Sequence, residues 1–184
     1  QRGLGRGKRS MLIEQMNAKT LQDEAAAFSE LLALAVGAGA SIGFVQPFTH
    51  EDASEFWLNR TAPLVENAQS LLFGARIEGR VVGTVQLMLP VMANQQHKAD
   101  VAKMMVHPDF RRRGIAAALL EALIQAAVDR GFRLLALDTR TGDPAQSLYA
   151  KFGFERAGEI PCFARDPLDP HKFDGTTYMY KVLS

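Results

Sequence analysis

Residues 103–118 read KMMVHPDFRRRGIAAA, and they connect an apolar run to a helical pattern. The run before Pro108 predicts a strand, whereas the apolar side chains from Ala116 to Ala127 recur at helical spacing. A tight strand-to-helix junction leaves the first N–H groups of the helix unpaired and adds the positive end of the helix dipole. Because three arginines at positions 111–113 surround this point, the stretch predicts a phosphate-binding loop.

The glycine pattern of this loop excludes two common phosphate motifs. Gly114 is its single glycine, so neither Gly-x-Gly-x-x-Gly nor a P-loop is present. The pattern Arg-x-x-Gly-x-Ala, from Arg111 to Ala116, resembles the acetyl-CoA signature of the GNAT N-acetyltransferase superfamily. Residues 148–154, LYAKFGF, resemble the second signature of that family at the right distance. A basic turn that caps a core helix is the alternative interpretation of the first motif.

Length and charge limit the functions that the chain can have. With 184 residues, 47% of them apolar, it is long enough to bury a sizeable core. Residues 1–10 hold four basic residues and no acidic one, and removing these four charges from the net charge of +1 leaves −3. This balance argues against a nucleic-acid partner, and no apolar run reaches the length of a membrane span. Cys162 is the single cysteine, so we expect no internal disulfide and a cytoplasmic location.

The chain length and the lack of any linker-like stretch after the basic leader predict one domain from residue 11 to residue 184. Residues 1–10 are basic and glycine-rich, which predicts a disordered leader or a non-native extension. A basic leader followed by an apolar run that ends in small residues, at 38–41, is also the pattern of a signal peptide. However, Asp23, Glu24 and Glu30 interrupt this run. Its apolar residues form one helical stripe, so we interpret it as an amphipathic helix.

Hydrophobic periodicity predicts seven strands and four helices. The helices begin near Thr20 and Thr49 as N-caps, after Gly114, and at Asp143 with Pro144 in the first turn. Glu78-Gly79 predicts a hairpin, and the proline-rich segment 165–175 predicts a long loop. The predicted strands are 11–18, 70–76, 80–89, 98–106, 132–138, 154–163 and 176–183. This order implies an α/β fold with a mixed, mostly antiparallel twisted sheet and helices on both faces, as the GNAT resemblance also implies.

The resemblance implies acetyl-CoA as co-substrate and assigns its contacts. In the family, the loop holds the pyrophosphate and the preceding strand pairs with the pantetheine arm. Many relatives have Asn seven residues before the tyrosine of the second signature, where this chain has Gly142. A usual coenzyme contact is therefore missing or supplied by Asp143 or Ser147. The implied coenzyme residues are Met104, Met105, Val106, Arg111, Arg112, Arg113, Gly114, Ile115, Ala116, Ser147 and Tyr149.

Acetyl transfer to an amine needs a base, a group that polarises the carbonyl, and an acid for the leaving thiolate. Asp100 lies eleven residues before Arg111, where histone acetyltransferases of the superfamily carry a general-base glutamate; pairing with Lys98 or Lys103 is the alternative. Asp138 ends an apolar strand, where such sheets place ligands, although it is equally suited to anchor the next loop. No metal is needed, and the histidines show no ligand spacing.

The resemblance also assigns an acid and an acceptor pocket. Tyr149 falls on the family tyrosine whose hydroxyl contacts the coenzyme sulfur and can protonate the thiolate; a core tyrosine packed on Phe152 is the alternative. In the superfamily, the loop between the first two helices lines the acceptor pocket. The loop residues Ser41, Phe44, Gln46 and Phe48 are therefore candidate acceptor contacts, with an ordinary helical hairpin as the alternative. The two carboxylates, Asp100 and Asp138, are further candidate acceptor contacts.

The predicted function is an N-acetyltransferase whose acceptor is the primary amine of a small molecule, which attacks the thioester directly. Segments 39–44, 100–103, 137–139, 158–161 and 178–183 resemble tabtoxin-resistance-type acetyltransferases, which implies an acceptor like an amino acid or a toxin. A protein or peptide N-acetyltransferase and a non-catalytic CoA-binding module are the alternatives. We expect no nucleic-acid or membrane partner, and a homodimer through the terminal strands is left open.

Overall fold

The computed structural model describes residues 10–184, so the predicted leader lies outside the described residues except for Ser10. Seven strands form one sheet in the order β1-β2-β3-β4-β5-β7-β6. The strands are β1 (Met11–Met16), β2 (Ser70–Ile77), β3 (Arg80–Met88), β4 (Lys98–Val106), β5 (Leu134–Arg140), β6 (Glu155–Arg165) and β7 (Phe173–Val182). The helices are α1 (Ala18–Asp23), α2 (Ala25–Gly37), α3 (His50–Glu55), α4 (Ala62–Glu66), α5 (Ile115–Asp129) and α6 (Ala145–Lys151), with a π-helix (Phe56–Thr61) between α3 and α4.

Neighbouring strands pair antiparallel except for β4 and β5, which are parallel. The predicted mixed and mostly antiparallel sheet is therefore confirmed. Glu78 and Gly79 both have positive φ, at 53° and 80°, as the tight turn of the predicted β2–β3 hairpin requires.

Each face of the sheet carries a hydrophobic core. Alternate side chains of β2 divide between them: Leu71, Phe73 and Ala75 pack with the α5 side chains, whereas Leu72 packs with the helices before residue 67. Trp57 is fully buried in the second core, and its indole N–H donates to the Phe28 carbonyl at 2.8 Å. Both faces are thus covered by helices, as predicted.

The helical segment before residue 40 differs from the prediction. The sequence predicts one helix capped by Thr20, but Asn17 is the cap, and its side chain accepts from the Thr20 N–H at 2.9 Å. β1 therefore ends at Met16 instead of residue 18. The helix is also broken at Glu24, whose carboxylate accepts from both terminal nitrogens of Arg76 at 2.6 and 2.7 Å. An ion pair to a distant strand therefore accompanies the break.

The ends of α6, β5, β6 and β7 also differ from the prediction. The predicted Thr49 cap is confirmed, because Thr49 and Asp52 form a capping box. α6 begins at Ala145, one residue after Pro144, and the Asp143 carboxylate accepts from the Ala145 N–H at 2.9 Å. The predicted loop 165–175 is shorter, because Ala164 pairs with Asp174 and Arg165 with Phe173, which extends both terminal strands. β5 likewise starts at Leu134 and continues to Arg140.

Candidate active site

A cavity opens where β4 and β5 separate. These two strands pair only from Lys98 to Asp100 with Leu134 to Ala136, in the part of the chain that is described. Beyond that point, residues 101–104 and 138–140 form opposite walls of a cavity of about 350 Å³. Residues 40–43, Tyr149 and parts of β6 and β7 complete the lining. The only parallel pair of the described sheet therefore has a cavity at its open end.

A bulge in β4 shapes one wall of the cavity. Thr84 of β3 faces Met105 and Gln86 faces Ala102, so that Lys103 and Met104 together oppose a single residue. Lys103 has a φ of 53°, which is the left-handed region that a bulge uses to redirect a side chain. Met105 is buried in the core, whereas Lys103 and Met104 border the cavity.

The loop after β4 is organised by His107, which is buried. Its Nδ1 accepts from the Asp109 N–H at 3.1 Å, its Nε2 lies 3.0 Å from the Arg80 guanidinium, and Phe110 packs edge-on against its ring. These contacts fix the single turn Pro108–Phe110 before the three arginines. The sequence analysis considered His107 only as a possible metal ligand and found no ligand spacing. Its role in fixing the loop was therefore not predicted.

The N-terminus of α5 is uncapped and bordered by the three arginines of the motif. Gly114 has a φ of 77° and no side chain caps the helix. A Cβ at Gly114 would meet no atom within 4 Å, so the space above it is open. Arg111, Arg112 and Arg113 are exposed around it, with Arg113 donating to the Asp109 carbonyl at 3.2 Å and its guanidinium above the Phe110 ring. Ile115 is buried under the loop, and Ala116 is half-buried.

Tyr149 lies on α6 and borders the cavity with 5% of its surface exposed. Its ring packs against that of Phe154, with the ring centres 5.7 Å apart. Burial raises the pKa of the Tyr149 hydroxyl to about 12, and the negative charges of Asp143 and Asp138 add to the shift. The hydroxyl therefore keeps its proton at neutral pH and is available as a donor.

The two candidate bases have different surroundings. Asp138 borders the cavity and accepts from the Thr176 hydroxyl at 2.9 Å. Asp100 is not part of the cavity lining and forms an ion pair with Lys98 at 3.1 Å. Asp138 and Tyr149 thus border the same cavity, whereas Asp100 pairs with Lys98, as its alternative interpretation predicts.

Lys103 is another ionisable group that borders the cavity. Its ammonium donates to the Ile42 carbonyl at 2.6 Å and lies 5.2 Å from the centre of the Phe44 ring and 5.8 Å from that of Phe56. Burial lowers the pKa of Lys103, and the positive charge of Arg60 lowers it further, while the negative charge of Asp138 opposes both effects.

The remaining predicted residues divide between the cavity and its surroundings. Ser41 borders the cavity between β4 and β5, whereas Phe44 and Phe48 line a neighbouring pocket of about 340 Å³. Gln46 accepts from Arg165 at 3.3 Å and donates from its backbone N–H to the Pro167 carbonyl at 2.8 Å. Ser147 is exposed and outside the cavity lining. The loop after α2 therefore closes against the β6–β7 turn.

Arg140 and Asp174 were not predicted as site residues. Arg140 lies within 3.3, 3.9 and 3.8 Å of carboxylate oxygens of Asp143, Asp166 and Asp174. Arg140, Asp143 and Asp174 all border the cavity. Arg140 comes two residues after Asp138 at the carboxyl end of β5, so its position at a strand end could have identified it. Asp174 could not be found in this way, because its segment was predicted as a loop.

Two negative findings concern the described residues. Among residues 10–184, no group of three or more His, Cys, Asp or Glu side chains is arranged to hold a metal ion. In the same range, no helix combines the length and apolarity needed to cross a bilayer.

Known structures share this fold. An N-acetyltransferase from Staphylococcus aureus Mu50 superposes with a TM-score of 0.76 at 18% identity, over 95% of this chain and 99% of its own. The structure of yncA from Salmonella typhimurium with its cofactor acetyl-CoA gives a TM-score of 0.73 at 18% identity, over 95% of this chain and 94% of its own. At such identities these likenesses establish the fold alone, and they confirm the predicted α/β architecture.

The sequence comparisons identify the family. An uncharacterized N-acetyltransferase in the hisH-hisA intergenic region of Azospirillum brasilense is 33% identical over 108 residues, which are 58% of this chain. The match spans 62% of that relative's length. The family model described as acetyltransferase (GNAT) family matches residues 38–154, which include the β4 bulge, the arginine loop, α5 and Tyr149. The chain therefore belongs to the GNAT acetyltransferase family.

Proposed function

We propose that this protein transfers the acetyl group of acetyl-CoA to the primary amine of a small molecule. One observation carries the proposal: Tyr149, a buried proton donor, and Asp138, a carboxylate, border the same cavity beside the arginine loop of the family. This pair matches the acid and the base that acetyl transfer to an amine requires.

The loop and the β4 edge fit the coenzyme. Gly114 leaves open space above the uncapped α5 terminus, which suits a pyrophosphate held by backbone N–H groups and by Arg111 and Arg113. The backbone of Met105 and Val106, beyond the last β4–β5 pair, is free of a β5 partner and suits the pantetheine arm. When bound, acetyl-CoA supplies the acetyl group as a thioester. The half-buried Met104 would border its reactive end.

Asp138 and Tyr149 take complementary roles in this proposal. The Asp138 carboxylate attracts a cationic amine and accepts its proton, while the Thr176 hydroxyl holds the carboxylate in position. The Tyr149 hydroxyl, whose raised pKa keeps it protonated, donates its proton to the leaving sulfur. Asp100 lies outside the cavity lining, so any contribution from it requires a relay through water.

The cavity favours a small acceptor over a protein. Its volume of about 350 Å³ is at the lower end of small-molecule sites, which typically hold roughly 300–1,000 Å³. The contacts of Gln46 with Arg165 and Pro167 close the space between the loop after α2 and the β6–β7 turn, where a polypeptide would need an open groove. The resemblance to tabtoxin-resistance-type acetyltransferases supports an acceptor like an amino acid. A cytoplasmic location and a homodimer stay predictions.

The experiment that tests the proposal is a screen of primary amines for thiol release from acetyl-CoA. The library should contain amino acids, polyamines and aminoglycosides, with unstructured peptides as a separate arm. We expect turnover with at least one small amine and none above background with peptides. Turnover with peptides alone would favour the protein N-acetyltransferase. Tight acetyl-CoA binding without turnover in either arm would favour the non-catalytic module.

A further inference from the structure

We propose that Lys103 binds an acidic group of the acceptor, so that the acceptor class is an amine that also carries a carboxylate. This inference rests on the proposed function, because it concerns the acceptor side of the same cavity. Three features of Lys103 carry it: how the backbone directs its side chain, the groups it contacts, and the charges of the other cavity residues.

The backbone is shaped to bring the Lys103 side chain to the cavity wall. The β4 bulge gives Lys103 a φ of 53°, a conformation that a lysine adopts rarely and that costs about 1–2 kcal/mol. Gly43, on the facing loop, has a φ of 95°, and a Cβ there would lie 2.9 Å from the Lys103 nitrogen. Both backbones therefore make room for one ammonium group.

The contacts of Lys103 leave its charge without a carboxylate partner among residues 10–184. The Ile42 carbonyl accepts one of its three N–H bonds, and the rings of Phe44 and Phe56 lie beside it. Asp138 affects it only through the longer-range Coulomb interaction. A half-buried ammonium held in this way has hydrogen-bond capacity left for a ligand.

Arg140, the other cation of the cavity lining, is in a different position. It is surrounded by the carboxylates of Asp143, Asp166 and Asp174, so its charge is already compensated within the protein. Lys103 is thus the cation of the described lining that remains open to an anion. Because a bound carboxylate would favour the charged ammonium, binding and protonation would support each other.

Asp138 and Lys103 then divide the acceptor between them. Asp138 lies on the β5 wall and receives the ammonium group, while Lys103 lies on the β4 wall and receives the carboxylate. Two opposite charges on facing walls select a molecule that carries both groups. An amine that lacks the carboxylate would leave the charge of Lys103 without a partner. The loss of this charge-assisted hydrogen bond corresponds to a roughly ten- to hundred-fold lower kcat/KM.

The test compares amino acids with their primary amides as acceptors in the thiol-release assay. We expect the wild type to prefer the acids by roughly ten- to hundred-fold, and Lys103→Met to lose the preference while acetyl-CoA affinity is unchanged. Methionine keeps the length and the contact with the phenylalanine rings. Lys103→Arg should keep part of the preference. Lys19→Met, which removes an exposed lysine paired with Asp23, is the matched control and should keep all of it.

Two outcomes of this assay would overturn the inference. One is a wild type that acetylates acids and amides equally. The other is a Lys103→Met variant that loses activity equally for both, which would assign Lys103 to the thioester carbonyl instead.

A second measurement does not depend on turnover. Saturation-transfer NMR with CoA-loaded protein compares N-acetylglycine with N-acetylglycinamide. We expect the acid to bind the wild type and not the Lys103→Met variant. If no amine is acetylated but this difference is seen, the proposed acceptor chemistry fails and the role of Lys103 stands. If the two probes bind alike, the inference fails.

Discussion

The arginine loop and the cavity that we propose for the acceptor both adjoin β4, yet the residues that build them differ in how far apart they lie along the chain. The loop is largely local: two of its bonds join His107 to Asp109 and Arg113 to Asp109, at most four residues apart, and its distant contacts are with β3, as between His107 and Arg80. The cavity is assembled from distant segments, with bonds that span 61 residues from Lys103 to Ile42 and 38 from Thr176 to Asp138. A local site can be changed at one residue without disturbing its neighbours, whereas the cavity depends on the register of the whole sheet.

The largest effect is expected from Gly114→Val in the local site. A side chain there would fill the open space above the α5 terminus and keep a pyrophosphate away from the backbone N–H groups. We expect the acetyl-CoA Kd to rise at least roughly a hundred-fold, since more than one charge-assisted hydrogen bond is lost. Calorimetric titration with acetyl-CoA measures this change.

Gly131→Val is the matched control for backbone strain. Gly131 lies at the other end of α5, has the same φ of 77°, and a Cβ at this position would also meet no atom within 4 Å. Both variants should lose similar stability, about 1–2 kcal/mol, because valine is strained in the left-handed region. Only Gly114→Val should lose coenzyme affinity, and an equal loss in both would assign the effect to strain.

Tyr149→Phe is expected to lower kcat by roughly a hundred-fold, the lower range for a lost general acid. The ring contact with Phe154 is kept, so coenzyme affinity should change little. Because the pKa of Tyr149 is raised to about 12, the wild-type rate should show no loss from Tyr149 ionisation as the pH rises from about 7 to about 10. Steady-state kinetics across this range measures both effects.

Tyr180→Phe provides the control for the loss of a tyrosine hydroxyl. Tyr180 lies on β7, outside the cavity lining, and donates to Glu155 at 3.1 Å. Its variant should keep full turnover. A Tyr149→Phe enzyme that is equally active at every pH would make Tyr149 a core residue.

The distance along the chain between contacting residues also explains which features could be predicted from the sequence. Periodicity and turn residues placed the seven strands, the Glu78-Gly79 hairpin and the Thr49 cap, because neighbouring residues decide these features. The break at Glu24 was not predictable, since its partner Arg76 lies 52 residues away. Asp174 was missed for the same reason: pairing with β6 makes its segment a strand. The motif located the loop, but only the sheet register brings Asp138, Arg140 and Lys103 to one cavity.

The smallest expected effects are those of replacing the two candidate bases, Asp138 and Asp100, and they show which of the two accepts the proton. Asn at position 138 can still accept from the Thr176 hydroxyl, so Asp138→Asn removes the charge and keeps the geometry. We expect kcat/KM with the true acceptor to fall roughly ten- to hundred-fold, most strongly at low pH, where the amine arrives protonated and needs a base most. Asp100→Asn should change it only a few-fold, because Asp100 pairs with Lys98 outside the cavity.

The double variant makes this comparison decisive. If Asp100 and Asp138 act on one proton route through water, their effects will be non-additive, because removing either residue breaks the same route. If Asp138 alone is the base, the double variant will equal the product of the single effects. Full activity in both single variants would remove both carboxylates from the mechanism and leave bulk water as the base. A larger loss for Asp100→Asn would reverse the assignment, because it would mean that the proton is received by the β4 carboxylate, which the sequence motif predicts as the base and which lies outside the cavity lining.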